Sequence, residues 1–119
     1  MITLTSNISI PNINRIRVKK VAFDQDSTTA FIDVLALMVG GNTYSPYQIQ
    51  IANGSSVGLR ANAAPTGATD ELQLFSLTTA TGYTTVFNAY NGNGSNAVKN
   101  QAVETALISL GAVPTGTVS

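Results

Sequence analysis

The sequence predicts a mainly β domain, a small antiparallel β-sandwich or barrel-like sheet with one C-terminal α-helix. Three observations lead there. Short runs of alternating apolar and polar residues recur from residue 2 to residue 90, separated by Gly, Pro and Asn breaks. One run, AFIDVLALMV from Ala30 to Val39, is apolar on both faces and reads as a central strand. After Ser95 the apolar period lengthens to that of an amphipathic helix. With 119 residues the chain is the size of one domain. It divides into an N-terminal strand or arm (1–12), an antiparallel β core (13–92), a helical segment (93–112) and a flexible tail (113–119).

The first run, MITLTSNISI, puts Ile2, Leu4, Ile8 and Ile10 on one face and Thr, Asn and Ser on the other. Two settings suit it: the closing strand of its own sheet, or strand addition to a neighbouring molecule. Either way, burying four large aliphatics contributes about 6–10 kcal/mol before ordering costs. Pro11-Asn12 ends the run. In INRIRVKKVAF, Ile16 and Val18 oppose Arg15, Arg17 and Lys19, and the apolar phase then slips at Lys19-Lys20. A bulge or a change of packing environment is expected there. After a polar turn at Asp24-Gln25-Asp26-Ser27, pairing with the central strand puts residues summing to about 53 opposite each other. Lys20 then faces Asp33, Val18 faces Leu35 and Ile16 faces Leu37, which gives the only charge in the apolar strand an opposite partner.

Gly40-Gly41-Asn42 turns the chain into a strand with Tyr47, Ile49 and Ile51 on one face. Asn53-Gly54 predicts a type I′ hairpin and a return strand from Val57 to Ala61. Further strands are expected at Glu71 to Leu77 and Tyr83 to Tyr90, with a loop at residues 61–70 and a break at Asn91-Gly92-Asn93-Gly94. Ser95 is a suitable N-cap. Val98, Ala102, Ala106 and Leu110, widened by Val103 and Leu107, form the buried stripe of the helix, with Glu104 among the residues of the opposite face. Gly111 provides a left-handed stop and Pro114 prevents continuation.

Composition limits the chemistry. There is no histidine and no cysteine, which removes the Ser-His-Asp and Cys-His catalytic arrangements, thiolate or imidazole zinc sites, and disulfides. Asp24 and Asp26 have calcium-loop spacing without the remaining ligands, and Asp70-Glu71 reads as a loop exit. No catalytic residue, metal ligand or cofactor site is expected, and neither enzyme activity nor a small-molecule ligand. The Asn-Gly-Asn-Gly stretch lacks the lysine of a phosphate loop. Tyr44, Tyr47, Tyr83 and Tyr90 would suit a sugar platform, but core or interface packing explains them better in a chain with 7% aromatics and no Trp. Arg15, Arg17 and Lys19 form a basic stripe that suits a solvated face or edge protection, or else contact with nucleic acid or an acidic partner face.

Charged residues make up 10% of the chain, against roughly 25% in an ordinary soluble domain. Six basic residues balance six acidic ones. A sparsely charged, neutral surface suits a subunit living inside an assembly. The same balance argues against nucleic acid as a main partner. No secretory signal and no membrane-spanning run is expected, so the Asn-x-Ser sequons at Asn7, Asn53 and Asn93 carry no weight.

Three stretches, ITLTSNISIPNINRIRVKKVAFD, YQIQIANGSSVGLRA and GYTTVFNAYNGNGSNAVKNQAVETALISLGAVPTGTV, give the chain a whole-length pattern that resembles small virion structural proteins of tailed bacteriophages. The resemblance implies a non-enzymatic β-rich subunit added in many copies, such as a head decoration (cement) protein, with a tail adaptor or receptor-binding module as the alternative. It also implies residence in the virion after synthesis in the host cytoplasm. The implied partners are the major capsid protein or other virion subunits, together with copies of itself. Residues expected to meet such a partner are Ile2, Leu4, Ile8 and Ile10 of the arm and Arg15, Arg17 and Lys19 of the basic stripe.

Overall fold

The computed structural model describes residues 1–9, 12–24, 29–42, 44–54, 56–61, 81–92 and 94–119. Ile10, Asp26, the loop from residue 62 to 70, Asp70, and the strand expected at Glu71 to Leu77 lie outside the described residues. The chain is mainly β and antiparallel, with a helix near its C-terminus, as its spacing predicts. In chain order the elements are β1 (Ile2–Ser9), β2 (Asn12–Phe23), β3 (Thr29–Met38), β4 (Tyr44–Ala52), β5 (Ser56–Ala61), α1 (Gly82–Asn91), α2 (Asn96–Leu110) and β6 (Gly116–Val118). They build one six-stranded sheet in the order β5-β4-β3-β2-β1-β6. On one face of it α1 lies over β3 and β4, and α2 over β2 and β6.

The core forms between that face and the helices. Ile16 and Val18 of β2 stand opposite Ala36 and Val34 of β3, and Ile32 stands opposite Ile49 of β4. These residues are buried together with Ile2, Ile13, Ile51, Val86, Val103 and Leu107. Each such aliphatic contributes about 1.5–3 kcal/mol relative to exposure. The phase slip read at Lys19-Lys20 is a register shift between Val18 and Lys20, and a second shift lies between Ile13 and Arg15. Each extra residue in β2 returns its apolar side chains to the helix side after a break in alternation. The shift also sets the register. Lys20 faces Asp33 as expected, but before the shift Val18 faces Val34 and Ile16 faces Ala36, one residue from the predicted partners.

Three further expectations are corrected. Tyr83 to Tyr90 is helix α1, not a strand. Its Thr and aromatic residues favour strands, yet Tyr83, Val86, Phe87 and Tyr90 also recur at i, i+3, i+4 and i+7. Packing decides between the two patterns: Val86 is fully buried, and Tyr83 and Tyr90 lie against the core. The Asn53-Gly54 turn is not type I′, because Gly54 has a positive φ and Asn53 does not. Asn53 instead reaches α1, where its Oδ1 accepts from the Thr84 amide at 3.4 Å and so serves an orphan donor of the first turn. Finally, the tail at 113–119 is held in place. Ala112 and Val113 are buried, and β6 pairs with β1, matching Ile2 with Val118 and Leu4 with Gly116.

The end of α2 explains that return. Ser95 Oγ accepts from the Val98 amide at 3.3 Å, and Gly111 takes φ 77° at the far end. The Gly111 amide donates to Ile108 O and the Ala112 amide to Leu107 O, the paired bonds of a Schellman stop. The chain therefore turns back over buried Leu107 and reaches β1 within five residues. At Gly116 a Cβ would collide with the Thr3 carbonyl oxygen and approach Ile2 Cγ2 at 2.9 Å. Gly116→Ala is expected to push β6 off β1 and cost about 1–3 kcal/mol, the usual penalty of overpacking. A urea unfolding midpoint equal to that of the parent would contradict this placement.

Candidate functional site

Of the two settings considered for the first strand, the structure shows the chain's own sheet. β1 lies between β2 and β6, with Ile2 and Leu4 buried. Neither side chain is presented to a partner, because both lie in the core. Ile8 stands opposite Ile13 in register. Of the basic residues, Arg15 and Arg17 alternate with buried Ile16 and Val18 and so share the face of β2 away from the core. Arg17 is exposed and its guanidinium lies 5.1 Å from the centre of the Tyr44 ring, a cation–π contact. Arg15 is half-buried between Thr3 and Leu37 in register, and Lys19 lies at the register shift. Lys20 faces Asp33, but the hydrogen bond to Asp33 Oδ1 comes from Gln48 Nε2, at 2.9 Å. Gln50 Nε2 in turn donates to Gln48 Oε1 at 3.1 Å.

The sequence places Glu104 on the polar side of α2, yet it is 1% exposed and faces the sheet. Its Oε1 accepts from the Met1 ammonium at 2.5 Å and its Oε2 from the Val18 amide at 2.9 Å. That amide belongs to the residue where β2 slips register, so a carboxylate from the helix serves a donor at a break in the ladder. Met1 is held from the other side as well: its ammonium donates to Ser119 O at 3.2 Å, and the Ser119 amide donates to Met1 O at 3.0 Å. One side chain thus joins α2, β2 and the β1–β6 edge. The cleft beside it, of about 340 Å³, is lined in part by Arg17, Asn100 and Gln101. Both carboxylate oxygens already accept from the chain itself, so the geometry is that of a structural clamp.

The four tyrosines weighed as a platform do not assemble. Tyr47 is buried in the core and Tyr44 stacks under Arg17. Tyr83 and Tyr90 instead join Phe23 and Phe87 in an aromatic cluster at the end of β2. Phe23 meets Tyr83, Phe87 and Tyr90 edge-on, with ring centres 5.8, 5.2 and 5.5 Å away, while Tyr83 and Phe87 stack at 5.8 Å. Phe87 remains 40% exposed. Sequence reasoning missed this cluster because it read Tyr83 to Tyr90 as a strand. The i, i+4, i+7 spacing of Tyr83, Phe87 and Tyr90 is the signal that reveals it.

Among the described residues no group of three or more His, Cys, Asp or Glu side chains could hold a metal ion, and no helix is long and apolar enough to cross a membrane. No protein-family model, curated protein or solved structure matches the chain.

Proposed function

We propose that this chain is a non-enzymatic structural subunit of a bacteriophage particle, added in many copies as a shell decoration (cement) protein. It works by protein–protein contact with the major capsid protein or other virion subunits and with its own copies. The observation that carries this reading is that two of the three exposed large apolar side chains among the described residues lie at opposite ends of the sheet, the third, Val98, being on α2. Phe87 tops the aromatic cluster at the Phe23 end of β2, and Val39, 41% exposed, leaves β3 beside the Ile13 end. Phe23 stands opposite Ala30, so nine residue rises along β3 put Val39 about 30 Å from that end, most of the longest dimension of the molecule, 37 Å. A subunit that bridges neighbours needs apolar contact at two separated places. The net charge of zero and the 10% of charged residues keep the remaining surface compatible with close packing against protein.

Quantitative mass spectrometry tests the proposal on particles purified from a culture in which the gene is expressed from its native genome. The chain is expected in a fixed, symmetry-related ratio to the major capsid protein. Its absence from purified particles, or turnover of a substrate by the purified chain, overturns the reading.

A further inference from the structure

The aromatic cluster continues into a basic cleft, and Tyr90 belongs to both. Its ring packs edge-on against Phe23 and also lines a cleft of about 190 Å³ with Lys19, Lys20, Asn96 and Asn100. Lys99 Nζ lies 4.5 Å from the centre of the same ring. Lys19 and Lys99 therefore come together at the Tyr90 ring, and Lys20, opposite Asp33 in register, borders the same cleft; Phe23 links Tyr90 to the exposed Phe87. Lys19 and Lys20 are exposed and have no ion-pair partner among the described residues. None of the described residues lining the cleft is a carboxylate.

We propose that this surface docks an acidic, apolar segment of a partner protein. Carboxylates of the segment enter the lysine cleft, and an apolar side chain packs on Phe87. The inference rests on the assembly reading above and names the partner chemistry for one end of the molecule. Charge selects this occupant. A second copy docked about a two-fold axis would bring the lysine cluster against itself. None of the three described side-chain carboxylates lines the cleft: Glu104 is buried under the Met1 ammonium, Asp33 is held by Gln48, and Asp24 has a partner within the chain. A single-stranded nucleic acid would need free ring faces for its bases. Tyr83 and Phe87 stack on each other, and the other rings are packed edge to face.

The test is fluorescence anisotropy of the full chain with three labelled probes: a peptide alternating Glu and Leu, a peptide alternating Lys and Leu, and an oligothymidylate. The Glu–Leu peptide alone is expected to bind. The double variant Lys19→Glu/Lys99→Glu, outside the buried core and checked for native circular dichroism, is expected to weaken it by roughly tenfold or more, as loss of complementary charge does. Phe87→Ser, checked for native circular dichroism, is expected to weaken it by roughly tenfold, as loss of an aromatic anchor does. No binding of the Glu–Leu peptide, equal binding by the variants, or tighter binding of the oligothymidylate overturns the proposal. So does a dimer seen by light scattering that Phe87→Ser dissolves. Failure here with the chain still counted in many copies on particles removes this surface and keeps the assembly reading. Absence from particles removes that reading and leaves the peptide result standing.

Discussion

Glu104→Ala is expected to destabilise the protein by about 2–4 kcal/mol, because it strips the acceptor from one buried amide and one partly buried ammonium. The Val18 amide becomes an unsatisfied donor between β2 and α2, where the ladder of β2 offers no substitute at the register shift. The Met1 ammonium loses its carboxylate but is partly open to water, since Met1 is a quarter exposed, so its share is the smaller one. Glu104→Gln keeps an oxygen for the amide and gives up the charge, and is expected to cost about half as much. Thr105→Ala and Gln101→Ala, at exposed positions on the same helix, are expected to change stability by less than about 0.5 kcal/mol. Urea unfolding checks the series, with a shifted midpoint and an unchanged slope. A Glu104→Ala midpoint within error of Thr105→Ala would show that the clamp does not hold in solution.

Ile2→Ala is expected to cost about 2–5 kcal/mol, the range for truncating a fully buried aliphatic. Ile2 is 0% exposed, stands opposite Ile16 of β2 and Val118 of β6, and touches the ground on which Gly116 must fit. Deleting residues 1–9 goes further. It removes β1 from between β2 and β6, leaves β6 without a partner strand, and uncovers Ile13 and Ile16. Loss of folded, soluble protein is the expected outcome, read by circular dichroism and sedimentation. A shortened chain that still folds as a monomer would mean that the first strand belongs with a neighbour after all.

Much of this fold is legible in the sequence because local and global preferences agree. The strand pair from Arg15 to Leu37, the slip at Lys19-Lys20, the Ser95 cap and the Gly111 stop all depend on residue types whose local chemistry matches their tertiary setting. The parts that were not legible are those where tertiary contact chooses between two local patterns. Tyr83 to Tyr90 carries both a strand composition and a helical spacing, and burial of Val86 selects the helix. Glu104 reads as a surface residue until the sheet brings an orphan amide and the chain's own first nitrogen against it. β6 is three residues long and carries almost no apolar signal, and it is recruited by the edge of β1. The candidate surface was less visible still. In sequence Lys19 continues the alternation of Arg15 and Arg17, whereas the register shift places it at the cleft beside Tyr90.

Electron cryomicroscopy of the native particle is the most direct single test. The reconstruction is expected to hold this chain in many symmetry-related copies, each with Phe87 and the Lys19–Lys20 cleft covered by an acidic region of a neighbouring protein. A particle without the chain, or one in which both ends of the sheet face open solvent, would contradict a bridging role.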